Sequence, residues 1–535
     1  MNAILLLAAW LTPLALAPFA LGRRRRWLSA VGALPALAAA GLLPAGAALD
    51  LPWLMLGTHL VLNETGQIFL VLSALLWLGA AVFAAAMPER HGGERGGFHL
   101  WFLLAMAGNF LLLLAADALT FYLGFALMGL SAFGLVVQRR GQRARRAARA
   151  YLVWTLLGEL ALFGALVVLG TQFESLRFAD WSGPAPAAAA LLLLVGFGVK
   201  LALPGLHWWL PGAYAMAPPA AAAVLSGPMI SAGLFGWLRF LPPETSGLMH
   251  WGQGLMWVGG AGVALGVLAG IIQRSPGRVL GYSSIAKMGV ITAGFGMALA
   301  HPGDAAVITT ALALFALHHL MVKGSLFLGV GLWERIGARI WLLLGMGLLA
   351  LALAGAPLTG GAAAKALLSD GLSRAGADLG LLLLGSALGT VLLMARLLWL
   401  LTRRAPRLDM LPTPLPASWW VLLPLALWLP FRPDRIPWDT GGLLPLAVGT
   451  VVALAALPLA RFRLRLPFGG GAPWCTCCLP RRLRRALRGR ESKRMLWLPV
   501  TGWRSGTEMS LSLPVAGLLW LALLILLFFF LSLPG

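Results

Sequence analysis

Long apolar runs alternate with short polar connections along the whole chain, and most runs are apolar all round, with no polar stripe at helical spacing. A run of about 20 such residues is the length of helix that crosses a hydrocarbon core of about 30 Å. Counting them predicts roughly sixteen transmembrane helices, near 3–22, 27–48, 66–87, 98–115, 118–137, 150–171, 188–210, 219–241, 252–272, 281–300, 306–332, 340–373, 379–402, 415–431, 442–460 and 512–532. The fold class is thus an all-α polytopic membrane protein. Two runs are interrupted. The seventh stops at Pro204, four residues after Lys200, and the twelfth stops around Pro357-Leu358-Thr359-Gly360-Gly361, four residues before Lys365. Interrupted spans persist only where protein or a water-filled cavity satisfies the freed backbone, and in transporters they mark the binding site of internal repeats. Spans 4–8 and 9–13 form two five-helix units, each with a broken fourth helix. Five is odd, so the two units are inverted relative to each other.

This pattern divides the chain into N-terminal helices (1–97), a first repeat (98–241), a second repeat (252–402) and a C-terminal segment (403–535) with a basic loop at 461–510. Alternate connections carry the basic clusters: Arg23 to Arg26, 139–149, Arg274/Arg278, Arg335/Arg339, 403–407 and 461–494. The acidic connections, at Asp50/Glu64, Glu174/Asp180, Glu244, Asp304 and Asp434/Asp439, fall between them. Basic loops stay in the cytoplasm, which predicts a bacterial-type inner membrane protein with both termini outside the cytoplasm.

Composition sharpens the chemistry. With 60% hydrophobic and 11% charged residues the chain is no soluble globule, and the net charge of +23 reads as topology rather than nucleic-acid binding. Arginine supplies nearly all of that charge; the five lysines are Lys200, Lys287, Lys323, Lys365 and Lys493, and the first four lie in or at the edge of apolar runs. A charge inside the bilayer is costly and marks an ion path, and an ammonium, unlike a guanidinium, can release its proton there. Cys475, Cys477 and Cys478 fall in the basic loop and read as reduced cytoplasmic thiols rather than a metal site. No nucleophile array, metal-ligand pair or phosphate loop is present; the Gly262, Gly266, Gly270 spacing lies inside an apolar run and predicts helix packing. The chain carries no catalytic centre or cofactor of its own on this reading.

Several motifs together resemble the antiporter-like membrane subunits of respiratory complex I, shared with Mrp-type cation/proton antiporters and formate hydrogenlyase-type membrane hydrogenases. They are Gly196-Phe197-Gly198-Val199-Lys200, Leu206-His207-Trp208-Trp209-Leu210-Pro211-Gly212-Ala213, Tyr282-Ser283-Ser284-Ile285-Ala286-Lys287-Met288-Gly289, His319-Leu320-Met321-Val322-Lys323 and Pro357-x-Thr359-x-Gly361-x-x-x-Lys365. The resemblance covers about residues 66–402. It implies two inverted repeats joined by a line of charged residues, with Lys200 as the lysine of the first broken helix, His319 and Lys323 as the central pair, and Lys365 as the end of the second. His319 and Lys323, four residues apart, share one helix face. Lys287, His318 and Asp117 are further relay candidates, Asp117 with a helix N-cap as its competing role.

Departures from the family pattern matter as much. Where members carry Trp-Glu in the fifth span, this chain has Phe125-Ala126, and Ser231 stands where many have a second lysine. Glu159 is the one acid deep in a span of the first repeat and so the candidate partner of Lys200. The resemblance implies a proton-translocating membrane subunit of a complex I-like or membrane hydrogenase-like oxidoreductase complex, working with other membrane and peripheral subunits. Two other readings use the same core: a subunit coupling cation or proton flow to inorganic-carbon uptake, and a non-conducting scaffold.

Overall fold

The computed structural model describes residues 2–21, 26–54, 56–87, 96–139, 141–374, 379–405, 414–431 and 443–459. Span 512–532, the loop 461–510 and its three cysteines lie outside the described residues. The elements below belong to one compact unit, Met1–Pro52 with Gly57–Leu464.

Helices α1 (Asn2–Leu16), α2 (Leu28–Val31) and α3 (Leu34–Leu42) lead into strands β1 (Ala47–Leu51) and β2 (Thr58–Leu62). Then come α4 (Glu64–Ala86), α5 (Gly96–Leu114), α6 (Ala118–Val136) and α7 (Gln142–Phe173). The seventh run forms α8 (Ala187–Leu201) and α9 (Leu210–Met216), and the eighth forms α10 (Pro219–Ser226) and α11 (Pro228–Phe240). They are followed by α12 (Met249–Ile271), α13 (Pro276–Ala300) and α14 (Ala305–Ile336). The twelfth run gives α15 (Ile340–Ala354) and α16 (Gly360–Arg374), and the described chain closes with α17 (Gly380–Thr402), α18 (Pro414–Trp428) and α19 (Leu443–Leu459). Among the described residues, ten helical segments are long and apolar enough to span a membrane, and five shorter apolar helices fall on the remaining expected runs.

The two anticipated breaks use one backbone device. At the end of α8, Ala202 turns left-handed (φ 55°) and the Leu203 amide donates to the Gly198 carbonyl; at the end of α15, Gly355 turns left-handed (φ 83°) and Ala356 donates to Leu351. Both are six-to-one closures that satisfy carbonyls otherwise orphaned at a helix end. Proline then prevents resumption, Pro204 in one and Pro357 in the other.

Three features depart from the expected pattern. Strands β1 and β2 pair antiparallel from Ala47 with Leu62 to Leu51 with Thr58, a small hairpin in a fold expected to be all helix. The basic stretch expected to be a loop is helical from Gln142, because Gly141 (φ 115°) makes the turn and Gln142-Arg143-Ala144-Arg145-Arg146-Ala147 are strong helix formers. The eighth run is interrupted too, at Gly227, whose backbone is non-helical and precedes Pro228.

Burial separates an inner set of helices from an outer one. Helices α10, α11 and α13 are almost wholly enclosed, whereas α7 and α12 turn residues such as Leu160, Phe163, Trp257 and Leu268 outward. Such apolar outer faces are what a lipid environment accepts. Helix α12 lies on α13 at close range: a Cβ on Gly266 would stand 2.5 Å from the Ala286 nitrogen, so the small-residue spacing there is a packing requirement.

Candidate functional site

Lys200 is the second-last residue of α8, so its ammonium sits at the C-terminal end of a helix, where the unpaired carbonyls carry partial negative charge. It is buried, at 6% exposure. Its nitrogen lies 3.5 Å from the Tyr151 hydroxyl, which itself donates to the Gly129 carbonyl at 2.9 Å. Phe125, standing where the family pattern has tryptophan, presents its ring face 5.3 Å away. Glu159 is also buried, and neither carboxylate oxygen has a hydrogen-bond partner in the protein. Both charges flank Gly129: a Cβ there would stand 3.0 Å from Glu159 Oε1 and 3.7 Å from Lys200 Nζ. Their separation cannot exceed the sum of those two distances, and no direct ion pair of 4.0 Å or less forms. The absence of a side chain at Gly129 is what opens the gap between them.

A second cluster gathers on α13, α14, α16 and α17. Lys287, His318, His319, Lys365 and Ser386 line one cavity of about 20 Å³, room for roughly one water. The Nε2 atom of His318 lies 3.2 Å from the Ala352 carbonyl, and both nitrogens of His319 are buried without a partner. Gly360 and Gly361 admit the His318 ring, which would lie about 3 Å from a Cβ at either position. Lys365 reaches back across the helix break, its Cδ 3.7 Å from the point a Gly355 Cβ would occupy, so it too lies near the C-terminal end of the first half-helix. One turn beyond His319, Lys323 is fully buried and donates to the Leu280 carbonyl at 2.8 Å. The burial of Lys287 and Lys323 requires compensating polar groups, because an ammonium stranded in a dry interior costs several kcal/mol.

Asp117 stands apart from both clusters. It caps α6, accepting from the Thr120 amide at 2.7 Å, and ties that cap to β2 by accepting from the His59 amide at 2.9 Å. The sequence reading did not single out Tyr151, Gly129 or Ser386, since a lone tyrosine, glycine or serine in an apolar run has no spacing that announces it. Two more cavities touch α14. One of about 340 Å³ is bordered by Thr309, Leu317 and Arg239; another of about 40 Å³ is bordered by Tyr214, Phe327 and Glu334. Beside the latter, Arg139 Nη2 donates to both carboxylate oxygens of Glu334, at 3.0 and 2.8 Å.

Helices stacked on all sides, apolar outer faces and a lysine at each of two helix breaks, Lys200 buried and Lys365 half-buried, define a multi-pass membrane protein. Residues 115–390 match the transmembrane family of NADH:quinone oxidoreductase and Mrp antiporter subunits. The chain belongs to that family. Over 275 residues it is 31% identical to hydrogenase-4 component B of Escherichia coli, a match covering 49% of this chain and 41% of that protein. Over 306 residues it is 31% identical to NADH-quinone oxidoreductase subunit N of Desulforudis audaxviator, covering 54% and 58%. These matches span roughly half the length of the curated relatives. The fold is similar to a structure of the Mrp complex from a Dietzia species (TM-score 0.71, 22% identity, 98% of this chain and 63% of that one). It is also similar to respiratory complex I from Thermus thermophilus with bound NADH (TM-score 0.68, 21% identity, 84% and 100%).

Proposed function

We propose that the chain is the proton-translocating membrane subunit of a complex I-like or membrane hydrogenase-like assembly in a bacterial-type inner membrane. Protons move between Glu159/Lys200 in the first of two inverted five-helix repeats, 98–241, and Lys323, His319, Lys287, His318 and Lys365 in the second, 252–402. The observation that carries this reading is the gathering of Lys287, His318, His319 and Lys365 around one water-sized cavity, a turn from Lys323. Each cation inside the bilayer costs insertion free energy that a purely structural chain avoids by substituting leucine or methionine, so retention of four argues for transport over a passive scaffold. Lysine suits the task because its nitrogen both binds and releases a proton under desolvation. Redox or antiport chemistry belongs to partner subunits.

The test uses the complex purified through a tag on this chain and reconstituted in liposomes with an internal pH dye, driven by a potassium diffusion potential. Lys323→Met is expected to purify with the same partners while losing most proton flux. A stably assembled Lys323→Met complex with wild-type flux would remove the relay from the mechanism.

A further inference from the structure

Of the helices that lie between Lys200 on α8 and Lys323 on α14 in the chain, α9, α10 and α11 come first, and α11 packs against both α8 and α14. From Trp208 to Leu238 that segment contains no Asp, Glu, His, Lys, Arg or Cys; Tyr214 is its single titratable side chain. Ser231 is 1% exposed and its hydroxyl has no partner. If a proton crosses between the two lysines through this stretch, Tyr214 is the one titratable side chain it meets there, along with the hydroxyls of Ser226 and Ser231.

The positions of the tyrosines fit that role. The chain has 24 Phe and 23 Trp but only four Tyr, so a ring here is by default one without a phenol. Burying a hydroxyl in an apolar surround costs free energy unless it finds a partner. Two of the four, Tyr151 and Tyr214, are nonetheless 1% and 2% exposed. Tyr151 touches Lys200 through its hydroxyl. Both tyrosines pack edge-on against Trp209, at 5.2 and 6.2 Å between ring centres, and the indole is fixed by donating to the Val199 carbonyl beside Lys200. The Tyr214 hydroxyl donates to Leu225 at the α10–α11 interruption. Two residues on, a Cβ at Gly227 would lie 3.0 Å from the Leu320 carbonyl, which sits between His319 and Lys323 on α14. The Tyr214 ring meets Phe327, one turn past Lys323, at 5.5 Å and borders the cavity of about 40 Å³ there.

We propose that Tyr151 and Tyr214 form the link by which protons pass between Lys200 and the Lys323 turn of α14. The proposal rests on the proton-translocation reading above. In one passage the Tyr151 hydroxyl turns off the Gly129 carbonyl, takes a proton on oxygen from the Lys200 ammonium and releases its own to water. Tyr214, turned off the Leu225 carbonyl in the same way, takes a proton on oxygen and releases its own through water to the Lys323 amine. Each phenol ends neutral, as it began; Lys200 is left as an amine and Lys323 as an ammonium.

The experiment compares Tyr151→Phe, Tyr214→Phe and Lys323→Met in the liposome assay, and separately replaces all four tyrosines of the chain with 3,5-difluorotyrosine, which keeps the ring and acidifies the phenol. Each Tyr→Phe variant is expected to assemble in normal yield and lose about a hundredfold or more of the flux, the scale of a missing acid–base group. Difluorotyrosine should shift the pH profile of the flux, an effect a hydroxyl serving only as a packing strut does not produce. Wild-type flux in both Tyr→Phe variants, with flux lost in Lys323→Met, overturns the tyrosine link and leaves the relay standing. Wild-type flux in Lys323→Met overturns both. Should the Tyr→Phe variants fail to assemble, an unchanged pH profile with difluorotyrosine overturns the link and a shifted one supports it.

Discussion

Removing one member of the Glu159/Lys200 site should do more harm than removing both. Glu159 Oε1 and Lys200 Nζ flank the empty Cβ position of Gly129 at 3.0 and 3.7 Å, with no direct contact of 4.0 Å or less. Within those limits, Coulomb attraction at an effective dielectric of about 20 amounts to roughly 2.5–4 kcal/mol. Glu159→Gln leaves the Lys200 cation facing Tyr151, the Phe125 ring and the carbonyl end of α8 with no countercharge, and Lys200→Met leaves a carboxylate whose oxygens have no protein partner. Breaking a buried pair one-sidedly costs about 3–5 kcal/mol, whereas removing both charges is often close to neutral. Each single variant should therefore lower the thermal stability of the purified complex, and the double variant should regain most of that stability while still failing to conduct. The assay is a double-mutant cycle on melting temperature, with liposome proton flux measured in parallel. Strictly additive melting shifts would mean that the two groups do not interact, and Lys200 would then need another partner.

Two further outcomes are open to measurement. Single cysteines at Arg143, exposed on the first turn of α7, and at Ser182, exposed before α8, should react with an impermeant maleimide from opposite sides of the membrane; same-side labelling refutes the topology. Ser182 serves better than its neighbour Gly183, whose φ of 91° a cysteine adopts only with strain. At the β hairpin, the His59 ring beside Asp50 lowers the Asp50 pKa below 3.8, first by hydrogen bonding. That contribution is present above about pH 4 and is lost as pH falls through the depressed value, so the hydrogen-exchange protection of β1 and β2, taken relative to intrinsic rates at each pH, should fall at acid pH in wild type more than in Asp50→Asn. Equal loss of protection in both would show that the contact does not stabilise the hairpin.

The helix breaks at Pro204 and Pro357–Gly361 were legible because each sets a helix-disfavouring proline and a lysine within one apolar run, whereas Pro13 and Pro424, with no lysine nearby, sit inside continuous helices. The start of α7 was not, because arginines at a helix N-terminus oppose the dipole and read as a topology signal, while their good helix propensity acts silently. The α10–α11 interruption was hidden inside an apolar run whose one warning was Gly227-Pro228. The Lys287/Lys365 cavity joins residues far apart in sequence, and the space at Gly129 depends on an atom that is missing. The β hairpin, five residues a side, is too short to outweigh its helical surroundings in a periodicity count. Glu159 was found by elimination, as the lone acid deep inside an apolar run of residues 98–241, and its carboxylate and the Lys200 ammonium flank the same glycine, Gly129.

Helix α14 has a mechanical meaning beyond its side chains. It runs 32 residues without interruption, about 48 Å at 1.5 Å per residue, longer than a hydrocarbon core of about 30 Å. Every other helix that carries a lysine near a break is cut in two there; this one is a single strut that passes three cavities in turn. A hydrogen-bonded helix is stiff along its axis. Any displacement of α14 at the Arg139–Glu334 clamp would therefore carry His319 and Lys323 along together, as parts of one rod.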